Sequence, residues 1–194
     1  MKKTGITLVA IALLALGYYM GPEPEIPVYT DSIPEIPVDF RKVESYINAR
    51  EAKVDLRDEN NAKLVWANDT PVVTEYVFFY LHGFSASRME GDPVHRNIAQ
   101  KLNSNLYLAR LTGHGLKNNQ LGNFTAENIW ESALEELAIA EKMGKKVIII
   151  STSTGGTLAL KMAADFPDRV YALINLSPNI KIKNPAAALL NDPW

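Results

Sequence analysis

The chain has 194 residues, 47% of them apolar and 22% charged, with a net charge of −2 and no cysteine. That is enough chain for one domain with a real hydrophobic core. The near-neutral charge gives no basis for a nucleic-acid partner. The absence of cysteine excludes disulfides, thiolate metal sites, cysteine nucleophiles and lipid attachment through cysteine.

Lys2 and Lys3 precede an apolar run from Ile6 to Met20, broken only by Thr7 and Gly17. A basic start followed by an apolar stretch is the pattern of an export signal, with Ala15-Leu16-Gly17 as a small-x-small cleavage site. Uncleaved, the run is shorter than the roughly 20 residues of a full span, with Tyr18 and Tyr19 placed for the far interface. Residues 1–20 are therefore expected to be a signal peptide or an N-terminal membrane anchor, with residues 6–20 as the membrane contact. The expected location is outside a bacterial cytoplasm: anchored and facing the periplasm or exterior, or secreted if cleaved near Gly17.

Residues 21–39 are proline-dense and carry an imperfect repeat, Pro24-Glu25-Ile26-Pro27-Val28 and Pro34-Glu35-Ile36-Pro37-Val38. Prolines at this density favour extended backbone and predict a semi-rigid spacer. The folded domain is expected over residues 40–194. Val43, Tyr46, Ile47 and Val54 mark one face of a charged helix. Residues 62–67 and 76–81 follow as strands, the second almost wholly apolar and so central. Asp92-Pro93 opens a helix with Val94, Ile98 and Leu102 inward, and residues 105–111 form the next strand. Thr125 caps a long helix with Ile129, Trp130, Ala133, Leu134 and Leu137 inward, Glu131, Glu135 and Glu136 outward, and Gly144 at its end. A strand to Ser151, a helix from Gly155 to Asp165, a strand at 170–176 and a short helix after Asn184 complete the series. Strands alternating with helices predict an α/β fold: a mostly parallel, doubly wound sheet with helices on both faces.

The chemistry concentrates in three places. In the first, the strand ending Ile148-Ile149-Ile150 runs into Ser151-Thr152-Ser153-Thr154-Gly155-Gly156 and then a helix. Such a turn displays a serine hydroxyl at the carboxyl edge of a sheet, over a helix N-terminus that favours developing negative charge. Ser153 is the candidate nucleophile. Ser151 fits worse, because Ile149 would flank it. A loop of small residues before a helix is also a phosphate cradle built from backbone N–H groups, although no lysine stands beside Thr157 as in a P-loop. The second place is His82-Gly83-Phe84, straight after the central strand, and the third is Gly113-His114-Gly115, after the next.

With these motifs in this order, residues 76–176 resemble the α/β-hydrolase superfamily, nearest to its monoglyceride-lipase and carboxylesterase branch. The resemblance implies Ser153 as nucleophile and the N–H groups of Phe84 and Thr154 as oxyanion donors. Ser151, Gly155, Gly156, His82, Gly83 and His114 would support the turn and its loops. It implies a small-molecule ester as substrate, acylglycerol or short-chain, with no cofactor and no metal. Three departures stand out: Ser151 for the first glycine of the serine turn, Arg110 for an acidic residue, and Lys117 for a serine. The larger departure concerns the base. In the family an acid and then a histidine follow the serine, whereas His82, His95 and His114 all precede Ser153 and Asp165, Asp168 and Asp192 read as turn or cap residues. The chain is accordingly expected to be a catalytically silent portion of a longer hydrolase, with residues 191–194 as the start of a lid. The alternative is a non-catalytic anion- or ligand-binding module, or a degenerate hydrolase tethered to a membrane.

Overall fold

The computed structural model of the chain describes residues 2–22, 25–122, 124–181 and 183–184. The short helix expected after Asn184 and the terminal segment 191–194 lie outside them. Two compact units separate: residues 29–180, and the two chain ends. In the ends, helix α1 spans Lys2–Tyr19; among the described residues no helix is long and apolar enough to cross a membrane.

The domain is built on strand β2 (Thr74–Leu81), whose aromatic and β-branched residues suit a position buried on both faces. Beside it lie β3 (Asn105–Leu108) on one side and β4 (Gly144–Thr152) on the other. The short β1 (Lys63–Val65) and β5 (Ala172–Leu176) form the edges. The sheet order is β1-β3-β2-β4-β5, with β1 antiparallel to β3 and every other pairing parallel.

Side-chain alternation along β2 divides the core in two. Val77, Phe79 and Leu81 face helices α2 (Val43–Glu51), α4 (Ala126–Ala140) and α5 (Thr154–Asp165). Phe78 and Tyr80 face α3 (Val94–Lys101). The expected doubly wound α/β sheet is thus present.

Local differences from the sequence reading have physical causes. In α3 the inward residues are His95 and Ala99, while Val94 and Leu102 are exposed. The buried imidazole is accommodated because its Nε2–H donates to the Arg88 carbonyl at 2.9 Å, so a polar residue takes the place of the apolar stripe. Val54 lies beyond the end of α2 and is exposed. Gly144 opens β4 instead of closing α4, because a side chain there would strike Val77.

Glu136 is buried, not outward. It accepts from the Tyr107 hydroxyl and from the Arg50 guanidinium, the latter at 2.9 Å, so these hydrogen bonds link α2, β3 and α4. The proline-rich stretch is not wholly a free spacer either. Ile36 of its second repeat is buried in the core, and the Thr30 carbonyl accepts from Trp130 Nε1 at 2.9 Å. Lys161 lies over both the Tyr29 and Trp130 rings at 4.7 Å, a cation–π contact to α5.

Burial pushes the Glu136 carboxyl from 4.5 up to about 7, against the pull of Arg50. The folded protein therefore holds this proton to higher pH than the unfolded chain does. The stabilisation this confers is complete below pH 4.5 and is lost as pH rises through about 7. Glu136→Gln removes the titration. Urea denaturation should show the wild type losing about 1–3 kcal/mol relative to the variant between pH 4.5 and 8; a constant difference would mean that Glu136 stays ionised throughout.

Candidate active site

From β2 the chain winds through α3 to β3 on one side, then returns through α4 to β4 on the other. In open α/β sheets such a switch places the ligand crevice beyond the carboxyl ends of the strands, here those of β2 and β4. His82-Gly83-Phe84 leaves β2 there, and Ser153 leaves β4 there.

Ser153 is the single residue between β4 and α5, with φ 50° and ψ −114°. For a residue with a side chain that conformation costs about 1–3 kcal/mol and persists only when its surroundings enforce it. The enforcement comes from the start of α5. A Cβ on Gly155 would lie 2.2 Å from the Leu81 carbonyl oxygen and 2.7 Å from that of His82. On Gly156 it would meet Pro178 at 2.6 Å. The Ser153 carbonyl, in turn, accepts the N–H of Gly156 at 2.9 Å and of Asn179 at 3.3 Å. Ser151 is fully buried and donates to Asn175 Oδ1 at 2.6 Å, so its hydroxyl ties β4 to β5 and is not available for chemistry. The Ser153 hydroxyl has no hydrogen-bond partner among the described residues.

His82 and His114 are spent on loop geometry. Leu111 N–H reaches His82 Nε2 at 3.2 Å, so that nitrogen must accept and the ring proton sits on Nδ1, which donates to the Gly83 carbonyl at 2.9 Å. His114 repeats the logic: Nε2 accepts from Ser85 N–H at 3.2 Å and Nδ1–H donates to the Thr112 carbonyl at 2.9 Å. Burial lowers His82 to about 4 and also lowers His114, so both rings are neutral at pH 7. His95 is buried under α3, with its proton on Nε2. Each of the three histidines thus makes a structural hydrogen bond, although His95 Nδ1 is buried without a partner among the described residues.

Gly113 and Gly115 take φ values of 72° and 73°, which the Gly-His-Gly turn needs and glycine permits. Arg110 anchors that turn from behind, forking onto Glu51 at 2.7 and 3.0 Å. Burial raises the Glu51 carboxyl, but the Arg110 fork outweighs it and holds the group below its ordinary value. The arginine in place of an acid is therefore matched by a glutamate on α2. Lys117 pairs with Asp55 at the exposed surface.

Phe84 is exposed, its ring edge-on to Phe124 at 5.2 Å and to His114 at 6.3 Å. Neither Phe84 N–H nor Thr154 N–H has an acceptor among the described residues. The sequence did not single out Glu90, Tyr80 or Thr152. Glu90 Oε2 accepts Gly83 N–H at 2.7 Å and the Tyr80 hydroxyl at 3.1 Å, and Tyr80 is also 3.1 Å from Thr152 Oγ1. One signal was available: a tyrosine facing the interior from a central strand requires a polar partner for its hydroxyl.

A cavity of about 740 Å³ lies elsewhere, lined by Arg50, Arg110, Glu131 and Glu135 among others. It includes no residue of the serine turn, and both arginines are taken up by carboxylates. Among the described residues no group of three or more His, Asp or Glu could hold a metal ion.

No family model matches the chain. It is similar to the protein bem46 of Schizosaccharomyces pombe, 22% identical over 179 residues that make up 90% of this chain and 59% of that protein. Among solved structures, one reported for the metagenome-derived lipolytic enzymes LipS and LipT superposes with a TM-score of 0.58 at 20% identity, covering 70% of this chain and 52% of that one. Est1E from Butyrivibrio proteoclasticus, solved with ferulic acid bound, superposes with a TM-score of 0.54 at 22% identity, covering 66% and 52%. The chain thus spans between 52% and 59% of the length of these proteins. The likeness shows the fold alone: a mostly parallel α/β sheet with helices, shared with these lipolytic and esterase structures.

If Gly155 is what brings α5 against the carbonyls of Leu81 and His82, Gly155→Ala should destabilise the domain by about 3 kcal/mol or more. Chemical denaturation measures this; a loss of less than about 1 kcal/mol would mean that α5 can start elsewhere.

Proposed function

We propose that the protein is a serine hydrolase of carboxylic esters, acylglycerol or short-chain, with Ser153 as the nucleophile. The observation that supports this best is the conformation of Ser153. A fold holds a serine at φ 50° between a strand and a helix, at a strain of about 1–3 kcal/mol, where the unpaired hydroxyl is put to use. The N–H groups of Phe84 and Thr154, without acceptors in the crevice among the described residues, are the donors for the oxyanion.

In this mechanism Ser153 Oγ bonds to the ester carbonyl carbon as its proton passes to a base. The tetrahedral oxyanion rests on the two N–H groups, and the alcohol leaves with the proton. Water then releases the acid by the reverse sequence. His82, His95 and His114 are all engaged in structure, so in this reading none of them is the base. Residues 1–194 alone should show negligible ester turnover. In the full-length protein, Ser153→Ala should lower kcat for 4-nitrophenyl butyrate by roughly 10⁴-fold or more and abolish labelling by a fluorophosphonate. Full activity of that variant would refute the assignment.

The same engaged histidines favour a second reading, a non-catalytic module whose N–H groups hold an anionic ligand, or a degenerate hydrolase domain tethered to a membrane. Inorganic phosphate raising the Tm, with Ser153 unlabelled in the full-length protein, would select it.

We further propose that residues 1–20 direct export, from their basic start and apolar run. The mature protein is then anchored or secreted outside the cytoplasm. N-terminal mass measurement on the protein recovered from an exporting host should find either an intact Met1 in the membrane fraction or a new terminus near Tyr18. Intact protein found only in the cytosol would contradict export.

A further inference from the structure

Thr152 immediately precedes the proposed nucleophile, and Gly83 immediately precedes the proposed oxyanion donor Phe84. Thr152 ends β4 and Gly83 lies in the loop that follows β2, and one continuous hydrogen-bonded path joins them. Glu90 Oε2 accepts from Gly83 N–H at 2.7 Å and from the Tyr80 hydroxyl at 3.1 Å. With its own proton given to Glu90, the Tyr80 oxygen can only accept from Thr152 Oγ1, 3.1 Å away. The position of Glu90 is itself fixed from below. Its short 3-10 turn, Arg88–Gly91, is pinned by His95, whose Nε2–H holds the Arg88 carbonyl at 2.9 Å. A Cβ on Gly91 would strike the Tyr80 ring at 2.6 Å and His95 at 2.7 Å, so that turn sits flush on both rings. Arg88 is buried and donates to the Asn61 carbonyl at 3.0 Å and to Glu59. The point a Cβ on Gly83 would occupy lies 3.0 Å from Glu90 Oε1 and 3.3 Å from Ser153 Cβ. The carboxylate therefore abuts the serine turn across Gly83.

We infer that Glu90, through Tyr80 and Thr152, is a positioning residue that sets the spacing between the two oxyanion N–H groups. This rests on the hydrolase reading above. Glu90 touches no reacting atom in that scheme. It takes the Gly83 N–H out of the crevice and so leaves the Phe84 N–H as the one the loop presents to the oxyanion. A backbone donor displaced by about 1 Å loses roughly 10²-fold in rate. The role calls for hydrogen-bond acceptance and not for charge, since a carboxylate so close to a developing oxyanion is electrostatically unfavourable. Glutamine, which keeps the accepting oxygen, should therefore substitute.

The test is hydrolysis of 4-nitrophenyl butyrate by the full-length protein, with Ser153→Ala as the control on the hydrolase reading. Glu90→Ala is expected to lower kcat by about 10- to 100-fold with KM changed by less than about threefold. Glu90→Gln should recover most of the loss. If Ser153→Ala abolishes turnover while Glu90→Ala stays within about twofold of wild type, the positioning role is overturned and the hydrolase stands. Equal losses in the alanine and glutamine variants would also overturn it, since charge would then be what matters. If Ser153→Ala keeps full activity, the hydrolase reading fails and this role fails with it. Amide hydrogen exchange gives a readout independent of turnover: Glu90→Ala should speed exchange at Gly83 by about tenfold or more. Unchanged protection there would show that the carboxylate does not hold the loop.

Discussion

Helix α5 starts against the carbonyl oxygens that end β2, at a separation that leaves no room for a side chain on Gly155. The rest of the crevice follows from that approach. Because the helix cannot move back, the chain must turn within one residue after Thr152, and Ser153 takes the strained conformation that results. Because β2 and α5 meet there, the loop leaving β2 passes directly beside the serine. The burial of β2 and β4 in the middle of the sheet holds this contact in place. Loosening the glycine contact would affect the serine turn and the adjacent loop together.

The loops around the crevice are fixed by imidazoles acting as two-ended links. A neutral histidine has one donor and one acceptor, so it can join an N–H to a carbonyl across a gap that no backbone hydrogen bond would span. His82 and His114 both do this, and their rings lie 4.8 Å apart. Behind them Arg110 and Glu51 carry the same turn back to α2. The crevice is thus braced by buried polar groups whose hydrogen-bonding capacity is met within the protein.

The parallel sheet was legible in the sequence because apolar runs and helical periodicity act over short distances. The position of Ser153 between a strand and a helix was legible because an apolar run, then small residues, then a helical period mark such a turn. What escaped the sequence depended on register and on distant partners. Glu136 looked solvent-facing on a helix rich in glutamate, yet Arg50 and Tyr107 from other elements draw it inward. His95 displaced an apolar stripe because the carbonyl of Arg88 was within reach of its ring. Glu90 had no local signal, since the groups it holds come from β2 and the loop after it, and it reaches the second strand only through Tyr80. Proline density predicted an extended backbone at residues 21–39 but could not show that Ile36 would find a place in the core.

The buried histidines also bear on how acid affects the molecule. His82 titrates near 4 in place of its ordinary 6.5, so the link it forms keeps its proton arrangement well into the acid range. As pH falls from 6.5 toward 4 the unfolded chain gains a proton that folded His82 refuses, a loss of stability that opposes the gain from Glu136 over much of the same range, while the loop keeps its shape. Mild acidification therefore shifts the balance between these two buried groups before it disturbs the crevice. The crevice would keep its architecture as long as the domain stayed folded, then lose it cooperatively.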